Sequence, residues 1–324
     1  MGPGGRQGGP ACHNTLDLRL WDSDDPIPRR TLLEMARGVT GLLSFLTDRI
    51  DAEILDAAGP SLKVVSNLAV GYDNVDVDEA TRRGVLVTNT PGVLTEATAD
   101  LTWALILAAA RRLGEAADTL RNLEWKSWSL LGLAGMDVHG ATLGVVGAGR
   151  IGRAVARRAA GFRMKVLYHS RRPHLDFEQE TGAEHRPRLE DLLRDADIVT
   201  LHVPLTSETR GLIGKREFGL MKPSAVLVNT ARGAVVDEPA LYEALSQRRI
   251  FAAGLDVFVE EPLPEDSPLR RLPNVILLPH VGSATVRTRL AMATMAATNL
   301  ADALEGRRPA AMVNPEVRPD HPRS

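Results

Sequence analysis

The sequence predicts an α/β fold: a doubly wound parallel sheet of the Rossmann type, with a second, smaller domain. Three observations carry that prediction. At 324 residues the chain is long for one core and suits two domains. Short runs rich in Val, Ile and Leu alternate with longer helical patterns nearly throughout, as parallel strands joined by helical crossovers require. A glycine turn, "GVVGAGRIG" (144–152), follows one such run and opens a helical stretch.

Taken in order, the first strand candidates are "LDLRLW" (16–21), "GLLSFL" (41–46), "KVVSNL" (63–68) and "VLVTN" (85–89). A long helix over about 95–113 leads into a second series of six. These are "TLGVVG" (142–147), "KVLYHS" (165–170), "DIVTLHV" (197–203), "AVLVNT" (225–230), "AAGLDVF" (252–258) and "VILLPH" (275–280). Their near-continuous apolar character suits strands covered on both faces. A last helix is expected over about 284–305, closed by Gly306 and followed by Pro309.

Composition excludes several classes of function. The 39 basic and 41 acidic residues are mixed along the chain, with a net charge of −2, unlike the basic footprint of a nucleic-acid binder. Cys12 is the only cysteine, which excludes an internal disulfide framework and a cysteine-rich metal site; no metal is expected. "LTWALILAAA" (101–110) is too short to cross a bilayer and reads as a buried helix. "MGPGGRQGGPACHN" (1–14) has no signal-peptide core and reads as disordered. A cytoplasmic protein with no membrane partner is expected.

The glycine turn points to a dinucleotide. Gly147 allows the tight turn, Gly149 lets the backbone approach a pyrophosphate, and Gly152 allows close helix–strand packing. The N–H groups that open the following helix are then available to phosphate. In such folds an acidic residue about 20 positions on grips the adenosine ribose. Here that place reads "HSRRPH" (169–174). Ser170, Arg171 and Arg172 suit a 2′-phosphate instead, which predicts NADPH as the preferred cofactor, with NAD possible. The competing reading of the same residues is a solvated basic loop.

Three chemically apt residues fall at the ends of three strand candidates: Arg232 after "AVLVNTA", Glu261 after "AAGLDVFVE", and His280 closing "VILLP". In doubly wound sheets ligands sit beyond those ends. Hydride transfer to a carbonyl carbon needs an acid for the oxygen, and His280 suits that role. Glu261 beside the ring favours the imidazolium, and Arg232 suits a substrate carboxylate. Each alone has an ordinary structural reading; together, beside a dinucleotide turn, they point to chemistry.

These residues sit in a longer series: "NLAVGYDNVD" (67–76), "GVLTEATADLT" (92–102), "GAGRIG" (147–152), "HVPLTSETRGLI" (202–213), "NTARGAVVDE" (229–238), "GLDVFVEEP" (254–262) and "LLPHVGSAT" (277–285). In this order they resemble the D-isomer-specific 2-hydroxyacid dehydrogenase family, from about Trp21 onward. Within it, "WDSDDPIP" (21–28) and "EWKSWSLLGLAG" (124–135) are most similar to glyoxylate/hydroxypyruvate reductases. The resemblance implies a flavodoxin-like substrate domain of residues 1–92 and 286–324, and a dinucleotide domain of 93–285.

It further implies that Arg232, Glu261 and His280 are the catalytic residues of a reductase of small 2-oxo acids, yielding glycolate or D-glycerate. Val70 and Gly71 match the loop whose N–H groups bind the substrate carboxylate. Cofactor contacts are implied at Thr98, Gly147, Gly149, Arg150, Ile151, Gly152, Ser170, Arg171, Arg172, Val203, Pro204, Thr209, Thr230, Ala231, Asp256, His280 and Gly282, with Asp256 at the nicotinamide carboxamide. The segment around Trp125 and Trp128 matches a dimerisation arm that places one indole, Trp128, at the substrate of a homodimer partner. On the residues alone, a Trp-x-x-Trp packed in its own core stands equally open.

One departure concerns the smaller domain. Family members begin with a strand and a helix before the region matching "LDLRLWDSD", and here that place holds "MGPGGRQGGPACHN". Either the start lies upstream or the domain lacks its first strand, which would expose sheet edges and lower stability. Two other functions remain open at this point: a dehydrogenase for a bulkier 2-oxo acid or 3-phosphoglycerate, and a dinucleotide-sensing corepressor.

Overall fold

The computed structural model describes residues 17–318. The chain divides into two compact units, one of residues 1–94 with 285–324 and one of 95–284.

Among the described residues, the smaller unit has three parallel strands, β1 (Gly41–Ser44), β2 (Val64–Asn67) and β3 (Leu86–Thr88), in the order β1-β2-β3. Two short helices beside them start where aspartates cap them. Asp51 accepts the Ile54 N–H and Asp76 the Glu79 N–H, each satisfying a donor that the first helical turn leaves free. The closing helix, Val286–Leu304, joins this unit and is tied to β2 by Ser66 Oγ, which donates to the Ala296 carbonyl at 2.8 Å.

The strand expected over 16–21 is not formed in its described part, 17–21. Instead Arg19 donates to the carbonyls of Met35 and Arg37 at the end of the helix Arg29–Ala36, and Leu20 is exposed. A strand needs a ladder partner, and among the described residues β1 pairs with β2 alone.

The larger unit has seven parallel strands among its described residues. They are β4 (Thr142–Val146), β5 (Lys165–His169), β6 (Glu184–His185), β7 (Ile198–Leu201), β8 (Val226–Asn229), β9 (Ala252–Leu255) and β10 (Val275–Leu277). Their order, β10-β9-β8-β7-β4-β5-β6, reverses direction at β4, the doubly wound plan. Sequence patterning predicts six of these. β6 escapes it because two residues, Glu184 and His185, carry no apolar signal.

Alternate residues of each strand serve two cores. Leu143, Val145, Val226 and Val228 face one, while Val146, Leu227 and Val199 face the other. That double covering explains the unbroken apolar runs. The helix expected to reach residue 113 ends at Ala110, because Arg112 takes a left-handed φ of 52° and starts the separate helix Leu113–Arg121. Each apolar run also leaves the ladder before its last residues, and those residues form the loops at the carboxyl edge.

Candidate active site

Arg232, Glu261 and His280 follow β8, β9 and β10, three successive neighbours in the sheet. The sequence separates them by up to 48 positions, 232 to 280; the strand order brings them to one edge. His280 Nδ1 and Glu261 Oε2 are 2.6 Å apart, and both side chains remain about a quarter exposed. Nδ1 donates to the carboxylate, which leaves Nε2 to face other chemistry. Glu261 Oε1 accepts the Phe258 N–H at 2.9 Å. Burial pushes the Glu261 carboxyl up, but the His280 bond and charge, the Phe258 N–H and the Arg232 charge outweigh it. The net position is below the ordinary glutamate range.

The histidine sits on a strained backbone. Its φ is 53°, a region that costs a residue with a Cβ and persists only where surroundings enforce it. Asp256 supplies that enforcement. Its backbone carbonyl accepts the His280 N–H at 2.9 Å, and its carboxylate oxygens accept the N–H groups of Val281 at 2.7 Å and Gly282 at 2.8 Å. Burial pushes the Asp256 carboxyl up, opposed by those two N–H groups and the His280 charge. On the neighbouring strand, Asn229 accepts the Ala231 N–H and donates to the Arg232 carbonyl. Gly233 then packs so closely that an added Cβ would lie 1.8 Å from the Phe258 carbonyl carbon. The arginine turn and the glutamate turn are thereby pressed together.

The dinucleotide turn has the features its glycines predict. Gly147 has φ 102°, and a Cβ there would meet the His202 carbonyl group at 2.7 Å. This also sets Val203 against the turn, at the point where strand order reverses. A Cβ on Gly152 would lie 2.1 Å from the Gly147 oxygen, so helix and strand can touch only through glycine. Above Gly149 there is open space. The helix Arg150–Ala159 starts at Gly149 without a side-chain cap, leaving its first N–H groups for an anion. Open space beside uncapped donors fits a pyrophosphate. Nearby, Thr230 Oγ1 lies 2.9 Å from Thr102 Oγ1, whose side chain also donates to the Thr98 carbonyl. Thr209 closes its own loop by donating to the Pro204 carbonyl at 2.6 Å.

The smaller unit holds a separate arrangement, made of backbone. Three successive carbonyls are bound: Ala69 O by the Thr90 N–H, Val70 O by Asn89 Nδ2, and Gly71 O by Asn67 Nδ2. In a planar trans peptide the N–H points opposite to the C=O. The N–H groups of Val70, Gly71 and Tyr72 therefore point away from these partners, and none has an acceptor among the described residues. Such a row of donors suits a carboxylate.

A family model described as "D-isomer specific 2-hydroxyacid dehydrogenase, NAD binding domain" matches residues 103–282. The chain belongs to that family. A glyoxylate reductase of Korarchaeum cryptofilum is 52% identical over 303 residues, covering 93% of this chain and 91% of its own. The crystal structure of a glyoxylate reductase from Paecilomyes thermophila has a TM-score of 0.81 at 35% identity, covering 89% of each chain. That of an NADPH-dependent glyoxylate/hydroxypyruvate reductase from Sinorhizobium meliloti, in complex with NADP and malonate, has a TM-score of 0.79 at 37% identity. It covers 89% of this chain and 87% of that one.

Two regions of this 2-hydroxyacid dehydrogenase refine the sequence reading. Trp125 and Trp128 are 63% and 78% exposed, so a Trp-x-x-Trp packed in its own core is excluded. In the "HSRRPH" loop, Arg171 and Arg172 are exposed, as Arg150 is at the helix start. Ser170 instead donates its hydroxyl to the Arg172 carbonyl at 2.6 Å and so shapes the loop. Sequence reasoning passed over Asn67, Asn89, Asn229 and Gly233. Each stands at or just past the end of a strand, Asn67, Asn229 and Gly233 inside a family motif and Asn89 closing the run "VLVTN", a placement visible in the sequence.

Proposed function

We propose that this dehydrogenase reduces small 2-oxo acids, glyoxylate and hydroxypyruvate foremost, with NADPH as its preferred reductant. The observation that carries the reading is the His280–Glu261 pair at 2.6 Å, formed beside Arg232 on the sheet edge that also bears the dinucleotide turn. The chain's likeness to glyoxylate reductases and to a glyoxylate/hydroxypyruvate reductase supports the substrate class.

A nicotinamide dinucleotide bound at the glycine turn supplies the hydride. The roles of the chain's own residues follow from their chemistry. Arg232 holds the substrate carboxylate and polarises the carbonyl. His280 Nε2 holds the proton that passes to the carbonyl oxygen as the carbon accepts hydride, leaving a hydroxyl. Glu261 fixes the ring orientation and stabilises the imidazolium before transfer. The outward N–H groups of Val70 and Gly71, joined by that of Tyr72, bind carboxylate. Asp256 and Gly282, close to His280, together with Thr98, Thr230 and Ala231, line the nicotinamide end; Ile151, Val203, Pro204 and Thr209 line the remainder.

The exposed apolar run Leu123, Trp125, Trp128, Leu130 and Leu131 supports a homodimer in which Trp128 closes over the partner's substrate. The deciding experiment measures kcat/KM with NADPH and with NADH, on glyoxylate and hydroxypyruvate. A ratio well above one with fast turnover sustains the proposal. A ratio below one removes the cofactor preference, and no turnover on either acid removes the substrate class.

A further inference from the structure

β6 is the edge strand that patterning missed, and its placement suggests a task. It pairs with β5 through Leu167 opposite Glu184 and Tyr168 opposite His185. Beyond that ladder the two strands exchange histidines. His169 Nδ1 lies 2.9 Å from the Arg186 carbonyl, and His185 Nε2 lies 3.1 Å from the Ser170 carbonyl. A carbonyl only accepts, so in both contacts the ring nitrogen donates. The far end of the same loop is held too. Tyr168 Oη accepts the His174 N–H at 2.8 Å and donates to Glu178 Oε1 at 2.6 Å.

Tyr168 is buried, packed against Phe177 at 5.0 Å and against the His185 ring at 5.0 Å. Arg153 extends the platform to the dinucleotide turn. It donates to the Ala148 carbonyl, pairs with Asp176 and stands over the Phe177 ring. The short loop is thus fastened at residue 170 and at residue 174, with Arg171 and Arg172 projecting between, and neither forms an ion pair among the described residues.

We propose that His185, with Tyr168, is a positioning residue for cofactor selectivity: it presets the loop that offers Arg171 and Arg172 to the 2′-phosphate of NADPH. The inference rests on the NADPH preference proposed above. Neither residue touches the phosphate. They remove the cost of ordering the loop when the phosphate arrives, so the benefit appears only with the cofactor that carries one.

The test compares Arg171→Ala/Arg172→Ala, His185→Leu and His185→Gln. For each, kcat/KM is measured with NADPH and NADH, and inhibition with 2′,5′-ADP and 5′-AMP. His185→Leu is expected to lower the NADPH/NADH ratio by about five- to tenfold, the worth of one well-placed hydrogen bond. The loss should sit in KM for NADPH and in 2′,5′-ADP inhibition, with kcat retained. His185→Gln, which keeps a donor, should recover most of it. If the arginine variant collapses the ratio while His185→Leu leaves it intact, or weakens both cofactors equally, the positioning role is wrong and the phosphate site stands. If the arginine variant leaves the ratio unchanged, the NADPH reading falls and this inference with it.

Discussion

On the roles proposed for them, the sheet edge bearing Arg232, Glu261 and His280 and the Val70–Tyr72 loop recognise charge in opposite ways. At the edge the proposed work falls to side chains: Arg232, Glu261 and His280 would bring charge and a transferable proton, and the backbone only aims them. In the loop the proposed work falls to the backbone, and side chains aim it: Asn67 and Asn89 bind the carbonyls of Gly71 and Val70, so that the N–H groups of the same peptides point away from them. The difference teaches where function is legible. Chemistry carried by side chains is visible as residue identity, whereas chemistry carried by peptide groups is visible only once every carbonyl has been given its partner.

Substitutions can break or sharpen this contrast. The largest effect is expected for His280→Ala, which removes the proposed proton donor. Turnover should fall by about 10²–10⁴-fold with dinucleotide affinity kept, as read by steady-state kinetics and calorimetry. Retained activity would end the assignment of the acid. Next comes Asn67→Ala, which releases the Gly71 carbonyl and with it the aim of the loop. KM for the 2-oxo acid should rise roughly fivefold or more, with KM for the dinucleotide unchanged.

Val70→Ala is the sharper control. It alters the side chain at a position whose proposed contribution is an N–H, so KM should stay within about twofold. A large rise would show that the loop recognises substrate by side-chain shape, and the contrast would dissolve.

The smallest effect concerns pH. A carboxyl whose folded pKa lies below its unfolded value binds its proton less readily when folded, so it stabilises the fold above the ordinary glutamate range. That contribution disappears as pH falls through the lowered folded value. Melting temperatures of the native protein and of Glu261→Gln, followed from about pH 6 to about pH 3, should therefore converge on acidification. A gap that widens with acid would contradict the direction assigned to Glu261.

Much of the fold was readable because the larger sheet is covered on both faces, so each strand shows as an apolar run. The exceptions have physical causes. β6 is two residues long and polar, held by what lies beside it. "LDLRLW" has strand-like residues but no strand formed in its described part, since alternation without a ladder partner leaves Leu20 in water. The break at Arg112 is a backbone conformation, which residue type does not announce.

The candidate site divides along the same line. Residue identity alone determined a dinucleotide turn, since only glycine tolerates φ 102° at position 147 and the close approach at position 152. It also supplied an acid, a carboxylate and a guanidinium at strand ends. Tertiary structure alone decided that these three meet, because strand order, which sequence spacing does not encode, sets β8, β9 and β10 side by side. It decided too that Asp256 holds His280 in a left-handed conformation, and that three peptide N–H groups in the smaller unit point away from the donors that hold their carbonyls. Residue identity is local information, while adjacency and the aim of a peptide group exist only after distant carbonyls and amides have found one another.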